Sequence, residues 1–334
     1  MLKEAFFYKK LKSGEILCEL CPHFCLIRDK DCGRCGVRIN KEGKLYSLVY
    51  GRVAAMHIDP IEKKPIYHFY PGSRVFSFAT QGCNLSCRYC QNYSISQLKP
   101  FYHVWGEEMT PEQIVKIAIK ERCIGIAYTY TEPTIFYEFM LDCAKLAKKN
   151  GLKNVLVSNG FINLDPLKRL SRYIDAANID IKSIENKFYE ENCNGRVKPV
   201  LECVKFLHKT GIWTEITNLI IPGQNDKKEN IEKLVKWILE NLGKEVPLHF
   251  SAFYPCFEMM NISKTPEKTL KMAKRIAETR GIDYVYIGNV NLDNNTYCSN
   301  CKKILIKRKN YNVEKINIEK KKCLYCKEKI SGIF

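Results

Sequence analysis

Three cysteines on one short loop are the residues of this chain best placed to do chemistry. They lie in Gly82-Cys83-Asn84-Leu85-Ser86-Cys87-Arg88-Tyr89-Cys90. A structural zinc site closes four ligands around its ion, so three thiolates fall one short. Three thiolates suit a [4Fe-4S] cube with one iron left open, because such clusters are held by cysteine. An open iron can bind a substrate or cofactor. A zinc site completed by a distant ligand is the other reading of the same spacing.

The chain holds 17 cysteines, and two further groups flank this loop. Cys298-x2-Cys301 and Cys323-x2-Cys326 are two knuckles with 21 residues between them, the spacing of a zinc ribbon. That segment is too small to fold on a core of its own, so Zn2+ would supply its stability. It is expected to be a separate unit whose removal leaves the rest intact. From 298 to 334 there are 11 Lys and Arg against 3 Glu. A basic ribbon can touch nucleic acid, and a solvated lysine face explains the charge equally well. At the other end, Cys18, Cys21, Cys25, Cys32 and Cys35 offer five thiols where four are needed. Thiolates alone do not distinguish Zn2+ from a second iron–sulfur cluster.

The frame around these groups is an ordinary globular one. Of 334 residues, 46% are hydrophobic and 27% charged, which excludes a disordered or fibrous chain. No apolar run approaches the roughly 18 residues of a membrane span. The first ten residues lack the apolar stretch of a signal peptide, so the expected location is cytoplasmic, with thiols reduced and free for metal. The net charge of +18 favours an acidic or nucleic-acid partner.

Apolar runs at 75–80, 124–130, 153–158, 176–182, 213–219, 247–253 and 283–287 are predicted strands. Amphipathic stretches at 111–122, 134–149, 164–173, 197–210, 228–241 and 265–280 are predicted helices. Their alternation means parallel strands and right-handed crossovers, in an α/β barrel that is complete or partial. The chain divides into an N-terminal Cys-rich metal module (1–74), the barrel (75–290) and the C-terminal ribbon (291–334). The cysteine loop then sits past the first barrel strand, where such folds build their active sites. Period two in Asn178-Ile179-Asp180-Ile181-Lys182 aims Asn178, Asp180 and Lys182 inward. An unpaired inward charge is costly, so the barrel must hold something polar, or Asp180 and Lys182 pair to support it. Glu215, Thr217 and Leu219 share another strand face. Cys256 follows the strand that His249 begins, as a small buried residue or a thiol facing substrate.

Cys83-x3-Cys87-x-Tyr89-Cys90 resembles the signature of the radical S-adenosylmethionine (SAM) superfamily. The resemblance is nearest to its glycyl-radical activating enzyme-like branch. Closer still is the AmmeMemoRadiSam system radical SAM enzyme group. It is carried by the segment 53–65, the cysteine loop with Gln91-Asn92, Tyr128-Thr129-Tyr130-Thr131-Glu132-Pro133-Thr134, Ser158-Asn159-Gly160 and Ile221-Pro222-Gly223-Gln224-Asn225-Asp226. It implies a partial (β/α)6-type barrel. Cys83, Cys87 and Cys90 would hold a [4Fe-4S] cluster that chelates SAM. An electron from a donor such as ferredoxin or flavodoxin would cleave SAM to methionine and a 5′-deoxyadenosyl radical, which abstracts hydrogen from substrate. Glu132 would meet the SAM amino group, although the family's Gly-Gly-Glu is here Tyr130-Thr131-Glu132. Ser158 and Asn159 would meet the carboxylate and ribose. Asp180 and Lys182 would face the methionine end, and Tyr89 the adenine. The group's pattern selects Cys18, Cys21, Cys25 and Cys35 as N-terminal metal ligands and leaves Cys32 out. A protein residue, a glycyl residue and an RNA base all stay open as substrate. The reading from another class is a zinc-dependent nucleic-acid-binding protein without catalysis.

Overall fold

The computed structural model describes residues 2–98 and 104–334. Its centre is an eight-stranded sheet. The first strand, β1 (Ala55–Pro60), runs antiparallel along one edge. Beside it lie β2 (Arg74–Ala79), β3 (Gly125–Tyr128), β4 (Lys153–Ser158), β5 (Ala176–Asp180), β6 (Trp213–Ile220), β7 (Leu248–Ala252) and β8 (Val285–Gly288), all parallel and in chain order. Among the described residues β1 and β8 are the two ends of the sheet, so the barrel is partial. Six helices cover it at the predicted places: α1 (Pro111–Lys120), α2 (Tyr137–Lys149), α3 (Leu164–Ser171), and, beyond a short helix Asn186–Cys193, α4 (Val197–Lys209), α5 (Lys228–Asn241) and α6 (Glu267–Arg280).

Local chemistry explains these elements. Thr110 caps α1 by a reciprocal box: Gln113 N donates to Thr110 Oγ1, and Thr110 N donates to Gln113 Oε1. The helix then buries Ile114, Val115 and Ala118 against the sheet. Gly125 opens β3 because a Cβ there would lie 2.0 Å from the Lys153 carbonyl oxygen. No helix of the described residues is long and apolar enough to cross a membrane.

The end of the sheet at which the parallel strands begin is closed by the chain's own polar groups. The buried Glu215 carboxylate accepts from Tyr67 N, His68 N, Trp213 Nε1 and His249 Nε2 at 2.7–2.9 Å. Asn178 Nδ2 donates to the Pro65 carbonyl at 2.7 Å. The inward polar face of the barrel is thus divided. Its lower rungs bind residues 65–68, and only the strand ends are left for a ligand.

The ribbon docks on that same closed end. Its strands Thr296–Tyr297, Ile304–Lys309 and Asn312–Ile316 form a small sheet. Leu305, Ile306 and Ile330 share one apolar cluster with Tyr67, Tyr284 and Tyr286. Arg308 Nε lies 3.5 Å from Glu62 Oε1, both side chains fully buried, and Arg308 Nη2 donates to Tyr67 O at 2.7 Å. Removing residues 297–334 would therefore uncover this shared apolar cluster and leave Glu62 without the Arg308 guanidinium.

Candidate functional site

The opposite end of the sheet gathers the residues singled out from the sequence. Cys83 follows β2, Glu132 follows β3, Ser158 ends β4 and Asp180 ends β5. Glu132 is the hub and is 2% exposed. Its Oε1 accepts from Thr134 N (2.9 Å), Thr134 Oγ1 (2.6 Å) and Ser158 Oγ (2.7 Å). Its Oε2 accepts from Asn159 N at 2.8 Å. Asn159 Nδ2 in turn donates to Asn84 Oδ1 at 2.9 Å and lies 3.8 Å from Cys83 Sγ. Gly160 makes the turn possible with φ of 69°, where a Cβ would press on Ile179. Burial raises the Glu132 pKa, against the pull of donors on Thr134, Asn159 and Ser158.

Glu132 therefore positions Ser158 and Asn159, and through Asn159 the cysteine loop. Glu132→Gln tests this. Gln can keep an oxygen at the three-donor site, and its NH2 group then opposes the Asn159 N–H. The lost hydrogen bond to a charged group is worth about 1.5–3 kcal/mol. If these strand ends hold SAM, as the resemblance implies, its binding should weaken by about 10–100-fold, read by titration. Unchanged affinity would show that Asn159 needs no such anchor.

The departure from Gly-Gly-Glu has a structural answer. Tyr130 takes φ of 62°, the left-handed conformation that glycine adopts without cost. Three contacts hold it there. Its hydroxyl donates to Asp59 at 2.5 Å, Lys64 Nζ sits 4.3 Å above its ring, and Asn92 Nδ2 donates to its carbonyl at 2.6 Å. Lys64 and Asp59 are themselves a buried ion pair at 2.7 Å. Burial alone would raise the Asp59 pKa, yet donors on Lys64, Tyr130 and Lys63 take it below the usual carboxylate range. Residues 53–65 thus support the loop that carries Glu132.

On the other flank, Lys182 Nζ pairs with Asp180 Oδ2 at 2.5 Å. Burial lowers the Lys182 pKa, but the charges of Asp180 and the neighbouring Cys87 more than offset it. Tyr89 is 3% exposed, and its ring lies 6.0 Å from Phe188. Its hydroxyl and the Cys193 thiol are 3.2 Å apart. Cys193 also lies against Cys87. Cys193 escapes a sequence reading because it stands alone, on a helix too short to show a period. Cys256 Sγ donates to the Cys90 carbonyl at 3.3 Å, so its loop folds back over the cysteine loop.

The three cysteine groups differ in spacing. Cys298, Cys301, Cys323 and Cys326 bring their thiols within 4.8 Å of one another, the one group of potential metal ligands so close among the described residues. Cys83, Cys87 and Cys90 share a loop whose N–H and O–H groups face sulfur: Leu85 N lies 3.4 Å from Cys83 Sγ, and Ser96 Oγ 3.1 Å from Cys90 Sγ. That donor set fits an iron–sulfur cluster, whose sulfurs are tuned by such contacts. Cys18, Cys21, Cys25 and Cys35 line one enclosed space, and Cys32 is exposed outside it.

Residues 78–238 match the radical SAM superfamily, and the chain belongs to it. Its relatives include pyruvate formate-lyase-activating enzymes. A pyruvate formate-lyase-activating enzyme of Clostridium pasteurianum is 26% identical over 52% of this chain and 71% of its own length. The pyruvate formate-lyase 1-activating enzyme of Escherichia coli is 24% identical over 63% and 91%. An uncharacterised protein of Methanocaldococcus jannaschii is 46% identical over 98% of this chain and 99% of its own. A radical SAM methyltransferase from Sphaerobacter thermophilus shares the fold, with a TM-score of 0.51 over 66% of this chain and 67% of that one, at 15% identity. The chain is accordingly a radical SAM enzyme.

Proposed function

We propose that this enzyme reductively cleaves SAM at a [4Fe-4S] cluster held by Cys83, Cys87 and Cys90, and directs the hydrogen abstraction at a protein substrate. The observation that carries the reading is the Glu132 network, which ties two strand ends to the cysteine loop at the open end of the barrel. Bound SAM supplies a 5′-deoxyadenosyl radical on one-electron reduction. The residues of the chain bind and orient. Ser158 and Asn159 offer short polar groups to the carboxylate and ribose, with Glu132 fixing both. Asp180 and Lys182 present opposite charges to the ammonium and carboxylate of the methionine end. Tyr89 stiffens the loop on the adenine side.

A protein substrate is favoured by the activating-enzyme relatives, whose names describe action on another enzyme. The electron would come from a ferredoxin or flavodoxin. The tight C-terminal tetrad would hold Zn2+, which suits four closed thiolates.

The test is anaerobic reconstitution followed by an assay for 5′-deoxyadenosine with SAM and a reductant. Wild-type protein should form it. The Cys83→Ala, Cys87→Ala, Cys90→Ala triple variant should form none, and persistence there would end the proposal.

A further inference from the structure

The geometry points to a second iron–sulfur cluster, fully ligated by Cys18, Cys21, Cys25 and Cys35, in the N-terminal module. Four independent observations converge on it. The first is spacing. A single tetrahedral ion with bonds of about 2.3 Å to sulfur draws its thiolates close together. The C-terminal tetrad has that geometry, with Cys298–Cys326 at 3.6 Å and Cys301–Cys323 at 3.8 Å. The N-terminal four face one space without closing to 4.8 Å as a group, and in this they match Cys83, Cys87 and Cys90. A polynuclear cluster carries its thiolates on separate irons and so holds them farther apart than one ion does.

The second observation is an unsatisfied donor. Arg38 lines the same space, is 1% exposed, and has a buried Nε with no hydrogen-bond partner. Its Nη1 is engaged by Glu138 and its Nη2 by the Phe6 carbonyl. A buried N–H left unpaired costs about 1–3 kcal/mol. Sulfide or thiolate at the centre of the space would accept from it. The third is selection among five cysteines. Cys32 pairs in a β-bridge with Ile39 and is exposed outside the space, so four thiols remain and no iron is left open for substrate. The fourth is position. Asn84, the residue after Cys83, lines this space, and His23 Nε2 contacts the Asn84 carbonyl at 2.7 Å. The two thiolate sites share a wall, which suits a closed cluster whose chemistry is one-electron transfer.

The inference does not rest on SAM cleavage, and the test keeps the two apart. The full-length Cys83→Ala, Cys87→Ala, Cys90→Ala variant is reconstituted anaerobically and analysed for iron, acid-labile sulfide and zinc. It should retain iron and sulfide in equal amounts, about four of each for a cube. Reduction with dithionite should give a paramagnetic signal. Adding Cys21→Ala and Cys35→Ala should remove iron, sulfide and signal, and leave the zinc of the C-terminal tetrad as a sign that the fold persists. Adding Cys32→Ala instead should change none of them. A second equivalent of zinc, beyond that of the C-terminal tetrad and with no iron, in the triple variant overturns the proposal, as does iron without sulfide. Loss of the cluster with Cys32→Ala overturns the ligand set.

Discussion

Arg308→Ala should destabilise the protein by about 3–5 kcal/mol, the usual loss when one partner of a buried ion pair is removed. Arg308 and Glu62 are both fully buried, and the pair joins the ribbon to the segment that closes the barrel. The substitution also removes donors to the Tyr67 carbonyl and Thr296 Oγ1, and a cation placed 4.4 Å above the Tyr67 ring. Glu62 would keep only Gly72 N as a donor to Oε1. With about 2.1 cal/mol/K of unfolding entropy per residue over 334 residues, Tm should fall by about 4–7 °C. The pH dependence has a definite sign. Burial already raises the Glu62 pKa, with Arg308 opposing. Without Arg308 the folded state binds that proton more tightly than the unfolded chain does, so stability falls as pH rises. The loss should therefore be larger at pH 8 than at pH 5. Glu62→Gln added to Arg308→Ala should recover part of it. A single variant that melts with wild type at both pH values would show that the ribbon is not locked in this way.

That lock is also where a sequence reading stops. The parallel strands and crossover helices are legible because each is a buried apolar run or an amphipathic stretch with its own cap, as Thr110 and Gly281 show. The strand-end residues follow, since in a parallel sheet the position after each strand is fixed by topology. The contacts that close the barrel are between elements far apart in the chain, and no local pattern announces them. Glu62 and Arg308 are 246 positions apart, and Glu215 meets residues 67 and 68 across nearly 150. Strand β1 is equally hidden: it ends in Pro60, and its Ile58 is partly exposed, so it lacks a clean alternation. Glu132, Ser158 and Asn159 are singled out by the family resemblance, which carries no order of dependence among them. Only the hydrogen bonds show that Glu132 is spent on holding the other two.

Lys182→Ala should weaken SAM binding by at least about tenfold, while Asp180→Ala should do less. Both charges sit where β5 ends, and the exposure of the two side chains separates them. Lys182 is 14% exposed and Asp180 33%. The lysine backbone is held at several points: its N–H donates to the Tyr189 hydroxyl, and its carbonyl accepts from Asn218 and Asn225. A cation so fixed beside Cys87 costs little to reorganise when an anionic group arrives. Truncating a buried charged partner typically costs about 2–5 kcal/mol, and each 1.4 kcal/mol is tenfold in affinity. Asp180 reaches water, and solvent screens much of what its carboxylate contributes. Its removal frees Lys182 from a pair without taking away the donor that a carboxylate ligand needs. The measurement is SAM titration of both variants, with iron counted on the same samples. Equal losses would mean that the pair acts only as a unit supporting the strand. Iron lost from Lys182→Ala alone would mean that its charge is needed by the Cys87 thiolate before any SAM binds, and the order of assembly at this site would be cluster loop first, cofactor second.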